Sequence, residues 1–238
     1  MTAKFFCFAL TLIAATSIAA GTASAGTIIS TPAGLNPGDH FRIAFVTQGG
    51  IVATSSNIAT YDNFVTSWAD SATYNGATIT WQAIGSTSSV NAIDHIGVTG
   101  DAVYLPDGTL VASTDSTSGL WSGNILHSIN EFISGTTTSN VNTYTGTTTS
   151  GVAATTNQGA SLALGASGVE IGATAYSNYI WIGFSSESRP SNRRNVYGIS
   201  QELTVPGATA SVPEPSTAML AGLGGLVALV YSFKRKRK

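Results

Sequence analysis

The chain has 238 residues, with only ten Lys and Arg against twelve Asp and Glu and a formal net charge of −2 at pH 7. So sparse a charge, with acids in excess of cations, argues against a nucleic-acid binder, which needs many clustered cations to release counterions. The single cysteine, Cys7, excludes an intrachain disulfide.

Chain order begins with export. Met1 to Lys4 carries one cation, Phe5 to Ala20 is an apolar run, and Ala23-Ser24-Ala25 is a small-x-small cleavage site ahead of Gly26. That layout predicts a secretory signal peptide over residues 1–25. A retained anchor is the competing reading, but the apolar run is short and the cleavage site well placed. Cleavage removes Cys7, and with it any thiol nucleophile or Cys-based metal site. It also removes Lys4, and five further cations form the C-terminus, so the exported part keeps Arg42, Arg189, Arg193, Arg194 and no lysine. All twelve acids lie between Asp39 and Glu214, which gives that part a charge of −8.

Residues 26–206 read as one domain and 207–212 as a linker. Phe41 to Val46 alternates in its first half and predicts a strand. Ile58, Tyr61, Phe64, Val65 and Trp68 follow a 3-4 spacing, predicting one amphipathic helix of about fourteen residues capped by Ser55 or Ser56. Asn75-Gly76 marks a turn, and Ile79, Trp81 and Ala83 alternate as a strand. Val103 to Ala112 reads as a hairpin over Pro106-Asp107-Gly108. Two echoing tracts, Gly135 to Asn140 and Gly146 to Gly151, read as exposed, turn-rich loops. Tyr179 to Phe184 predicts a buried strand, and Tyr197, Ile199, Leu203 and Val205 alternate in a final one. The fold class expected is α+β, mostly β, with one clear amphipathic helix and a core of ordinary size.

Catalytic signatures are missing from this pattern. His40, His95 and His127 share no metal-ligand spacing, and no G-x-S-x-G elbow accompanies Asp94-His95. Asp94, Asp101 and Asp107 match no calcium-loop spacing, so no metal or cofactor is expected. Arg189, Arg193 and Arg194, with Asn192 and Asn195, form the one basic spot of the domain, and arginine forks suit the carboxylates of acidic polysaccharide. Most aromatic side chains are needed to fill the core.

The tail reads SVPEPSTAMLAGLGGLVALVYSFKRKRK from Ser211. Pro213 and Pro215 fix their own φ and hold the residues before them extended, so Val212-Pro213-Glu214-Pro215 predicts an exposed, non-helical grip. Thr217 to Phe233 is almost wholly apolar; as a helix its seventeen residues span about 25 Å, at the short end for a bilayer crossing. Lys234-Arg235-Lys236-Arg237-Lys238 holds the inner end on the cytoplasmic side. This order resembles the PEP-CTERM sorting signal. The resemblance implies recognition of Pro213, Glu214 and Pro215 by a membrane-embedded exosortase, transient or stable anchoring by the C-terminus, and delivery to the cell surface or the exopolysaccharide matrix.

The domain itself resembles the C-type-lectin-like fold, in its endostatin-type branch. The features in order are the helix, the Ile84-Gly85-Ser86-Thr87 stretch, Val103 to Gly108, Leu120-Trp121-Ser122-Gly123, Tyr144-Thr145-Gly146-Thr147 and the Tyr179 to Phe184 run. The usual disulfides, the Glu-Pro-Asn and Trp-Asn-Asp motifs and an N-terminal histidine cluster do not occur, so the resemblance carries over no binding residue. Three functions remain open on the sequence: a non-enzymatic surface or matrix protein contacting exopolysaccharide or neighbouring cells, a lectin-like carbohydrate-binding module with or without calcium, and a secreted hydrolase with an unrecognised site.

Overall fold

The computed structural model describes residues 26–187 and 189–207. The expected signal peptide with Ala23 and Ala25, the sorting triplet Pro213-Glu214-Pro215, the expected span 217–233 and the cluster Lys234 to Lys238 lie outside the described residues. Among the described residues no helix is long and apolar enough to cross a membrane.

In chain order the elements are β1 (Ile28–Ile29), β2 (His40–Val46), helix α1 (Ile58–Trp68), β3 (Thr73–Tyr74), β4 (Ala77–Thr78), β5 (Trp81–Ala83), helix α2 (Ala92–Ile96), β6 (Ala102–Tyr104), β7 (Leu110–Ala112), β8 (Asn142–Tyr144), β9 (Val169–Ala173), β10 (Ser185–Glu187), β11 (Tyr197–Ser200) and β12 (Leu203–Thr204). Single 3-10 turns occupy Leu120–Ser122 and Tyr179–Trp181. The main sheet has the order β5-β11-β2-β6-β7, with β12 also on β2; β8, β9 and β10 form a second sheet, and β1, β3 and β4 a third. The α+β, mostly β class therefore holds, with 12% of the structure helical.

The main sheet is organised by the two faces of β2. Phe41, Ile43 and Phe45 join the core that packs against Tyr61 and Val65 of α1, whereas Ala44 and Val46 join a second core with Trp121, Trp181 and Tyr197. A strand buried on both faces has no polar side to display, so its sequence is apolar almost throughout. Arg42 is the exception. It is buried, and its guanidinium reaches Asp115 at 3.1 Å, the Gly97 carbonyl at 2.9 Å and the Ile96 carbonyl at 2.7 Å. The Asp115 carboxylate also accepts from the amides of Thr99 and Gly100 and from the Thr99 hydroxyl. Burial lowers the Arg42 pKa and Asp115 opposes the shift, so the pair ties the end of α2 and the segment after β7 to the sheet.

Several sequence expectations are corrected. Helix α1 has eleven residues and is capped by Asn57, whose side chain accepts from Ala59 N. Ser55 sits two residues before the cap, its hydroxyl accepting from Asn57 N at 3.2 Å. The final strand is two: β11 pairs with the C-terminal half of β2 and β12 with its N-terminal half. Where they part, the Ser200 hydroxyl accepts the Ile43 amide at 2.9 Å, replacing the ladder bond that the bend removes. The run Tyr179 to Phe184 is not a buried strand: Tyr179–Trp181 form a 3-10 turn capped by Asn178, and the chain leaves it at Ile182. Its Trp181 and Ile182 are buried, but Tyr179 is 58% and Phe184 48% exposed.

The two echoing tracts fold differently from one another, because the structural repeat is out of step with the sequence repeat. At Phe132, Thr148 and Thr156 the same hairpin recurs: the amide bonds to the carbonyl four residues on, and a glycine three residues on donates back. Leu105 begins a fourth, over Pro106-Asp107-Gly108. Each closing glycine (108, 135, 151 and 159) has φ between 77° and 89°, as a three-residue hairpin loop with a bulge demands. Gly135 thus closes a turn, whereas Gly146 precedes one and lies at φ 60° where a Cβ would stand 2.5 Å from Leu164 N. The first tract is largely exposed; in the second, Thr147 is fully buried.

Candidate functional site

The basic spot expected from sequence becomes a cleft. Residues 189–195 run into β11, and the chain crossing of β8 and the Thr47–Ile51 loop fixes them in place. The buried Tyr144 ring sends its hydroxyl to the carbonyls of Arg189 and Asn192, both at 3.1 Å. Ile51 and Arg194 exchange amide–carbonyl bonds of 2.8 and 3.0 Å, and Tyr144 N donates to Asn195 O at 2.9 Å. The Asn195 amide donates to the Thr47 carbonyl, and Arg193 Nη1 donates to Gly50 O at 3.1 Å. Gly50 must be glycine here, since a Cβ would meet Arg194 N at 2.8 Å.

The result is a cavity of about 430 Å³ lined by Asn140, Val141, Asn142, Arg193, Arg194 and Asn195. The sequence singles out Arg193, Arg194 and Asn195, while Arg189 of the same spot does not line the cavity and nothing in the sequence marks Asn140 and Asn142. These two arrive from fifty residues upstream, through the pairing of β8 with β9 and the bridge of Thr143 to Asn195. Asn192 supplies a carbonyl to the Tyr144 hydroxyl instead of lining the cleft. With Arg42 committed to Asp115, the positive charge of the described domain is concentrated on residues 189–194. Beside its bond to Gly50 O, the Arg193 guanidinium keeps further N–H donors, and with the positive charge of Arg194 and three carboxamides it makes a set suited to a carboxylate with hydroxyls around it.

The other candidates do not converge. Asp94 accepts from the Asn91 side chain at 3.0 Å, and Asp101 from the Thr99 hydroxyl at 2.6 Å. Asp107 accepts from the amide and hydroxyl of Thr109 inside its own turn. Among the described residues no three His, Cys, Asp or Glu side chains are grouped as metal ligands. His95 is paired with Asp62 of α1 and not with its sequence neighbour: Nε2 lies 2.9 Å from Asp62 Oδ1, an oxygen that also accepts Ala83 N at 2.8 Å. That contact bolts α2 to α1 and β5. His40 lies 2.7 Å from Glu202 and 3.4 Å from the Thr204 hydroxyl, both partners contacting the same ring nitrogen on an exposed edge. His127 Nδ1 donates to the Leu110 carbonyl at 2.8 Å.

Comparison with known families adds the address. Residues 211–237 match the model of the PEP-CTERM protein-sorting motif. The chain carries a PEP-CTERM sorting signal. The PEP-CTERM motif marks an exported protein, recognised and processed at the membrane by an exosortase, itself a membrane protein. It covers Pro213, Glu214, Pro215 and the basic cluster up to Arg237. No curated protein matches the chain.

Proposed function

We propose that the domain between the signal peptide and the PEP-CTERM motif is a non-enzymatic binding module of the cell surface or extracellular matrix. It holds acidic exopolysaccharide through the cleft of Arg193, Arg194, Asn140, Asn142 and Asn195. The observation that carries this reading is the concentration of positive charge in one carboxamide-lined cleft of an otherwise acidic, lysine-free domain. The net negative charge of the domain repels a polyanion, so such a ligand is oriented toward the arginine cleft, where its carboxylates meet cationic donors. The non-catalytic part of the reading rests on the histidines. Each is bound to a carboxylate or carbonyl on the surface or between elements, and none stands between a carboxylate and a hydroxyl on opposite ring nitrogens, as general-base catalysis on a serine requires. The test is retention in cells. Complementing a deletion strain with Arg193→Glu should shift the exported protein from the matrix fraction to the medium, with export unchanged. Equal retention of variant and wild type would overturn the reading.

A further inference from the structure

A second cavity is bordered by Gln48 of the Thr47–Ile51 loop. It encloses about 280 Å³ and is lined by Trp68 and Phe132 together with Gln48, Asp70, Ser67 and Ser134, among others. We propose that it is a site for one uncharged sugar ring, stacked on Trp68 and hydrogen-bonded by Asp70 and Gln48.

Three observations support this. Trp81, Trp121 and Trp181 are buried in the cores; Trp68, the fourth tryptophan of the chain, is only partly buried and borders the cavity. It is held in place by the backbone: a Cβ on Gly49 would stand 2.3 Å from its ring. Next, the chain ends α1 with two consecutive left-handed residues, Asp70 at φ 46° and Ser71 at φ 53°. Glycine is the usual residue at such a helix end because a side chain is strained there. Asp70 accepts the strain and places a carboxylate at the rim, and strained non-glycine residues of this kind gather at binding sites. The strained turn is backed by Gly26, whose Cβ would meet the Ser71 carbonyl at 2.5 Å and the Asp70 carbonyl at 2.7 Å.

Finally, the polar groups are uncommitted. Among the described residues no hydrogen bond engages the Asp70 carboxylate or the Gln48 side chain, while Ser67 spends its proton on the Phe64 carbonyl at 2.6 Å and keeps its lone pairs. An aromatic face, a carboxylate that accepts from two vicinal hydroxyls and an amide that both gives and accepts match the alternating C–H and O–H surfaces of a pyranose. The volume falls just under the roughly 300 Å³ at which drug-sized pockets begin, so one ring fits. Asp70 disfavours a phosphate or a uronate. The inference does not depend on the arginine cleft.

The exported protein is titrated with neutral gluco-, galacto- and manno-oligosaccharides, and separately with choline as a cationic probe, by tryptophan fluorescence and saturation-transfer NMR. At least one neutral oligosaccharide should bind. Trp68→Ala and Asp70→Asn should each weaken it about tenfold or more, and Arg193→Ala should leave it unchanged. Asn tolerates the left-handed backbone, so Asp70→Asn keeps the fold even if Trp68→Ala disturbs α1. Absence of binding by every sugar, binding indifferent to Asp70→Asn, or binding of choline alone would overturn the proposal. Loss on Arg193→Ala would also overturn it, by showing that the sugar binds in the cleft instead.

Discussion

Glu131 offers a direct test of the energetics. Its side chain is 3% exposed and its Oε2 accepts the Asp107 amide at 3.1 Å. Burial pushes its pKa from 4.5 up to about 7; the Asp107 amide opposes the shift, and the Asp107 side chain reinforces it. Burial acts the same way on Asp107, but the amide and hydroxyl of Thr109 and the Glu131 proton hold that carboxyl below its usual value. Below about pH 7 the proton of the pair therefore rests on Glu131, and Asp107 stays ionised.

Because the folded pKa of Glu131 lies above the unfolded one, the native state keeps a proton that the unfolded chain has released. Stability from this group is full below pH 4.5 and is lost as the pH rises to about 7. The displacement amounts to about 3 kcal/mol at most, and to about 2 kcal/mol once solvent around the exposed Asp107 is allowed for. Glu131→Gln keeps a donor toward Asp107 and an acceptor for its amide while abolishing the titration. Circular dichroism melts of the exported protein should show equal Tm for both forms near pH 4.5. Above pH 7 the variant should melt about 4–8 °C higher. A difference that stays constant across that range would refute the reasoning.

Two further outcomes are expected. Asp115→Ala leaves Arg42 buried without its charge partner and should cost about 3–5 kcal/mol in urea unfolding; a loss under about 1 kcal/mol would show that water reaches the guanidinium. Replacing Pro213 and Pro215 with alanine should trap the protein in the inner membrane, whereas the wild-type surface form should lack Lys234 to Lys238 by mass spectrometry. An intact C-terminal peptide in the extracellular fraction would contradict this.

How much of the fold was legible depended on how local its cause was. The strand over Phe41 to Val46, the Asn75-Gly76 turn and the Pro106-Asp107-Gly108 hairpin each carry their signal within a few residues. Tyr179 to Phe184 misled because aromatic and β-branched residues serve a half-buried 3-10 turn as well as a strand; Asn178, whose side chain accepts from Ile180 N at 3.1 Å, is the local signal of the turn. Helix α2 and strands β8 to β10, at three to five residues each, are too short for a period to show. The repeated hairpins were legible in principle as glycines three residues after Leu105, Phe132, Thr148 and Thr156, but the louder Gly-Thr-Thr-Thr-Ser echo masked that spacing.

The candidate site divides in the same way. Arg193 and Arg194 stand out because cations are so few. Asn140 and Asn142 carry no signal, since only the long-range anchoring of Tyr144 brings them to the arginines. Trp68 reads as one more apolar position on α1 until Gly49 and the Asp70 turn are seen beside it.

The proposal that the cleft binds acidic polysaccharide is tested most directly by calorimetry of the exported protein with a uronic-acid oligosaccharide and its neutral counterpart, each at low and at physiological salt. The account predicts a preference for the acidic ligand at the cleft, weakened by salt and reduced about tenfold or more by Arg193→Ala. Equal heats for the two ligands, or binding of the acidic one unaffected by that substitution, would contradict it.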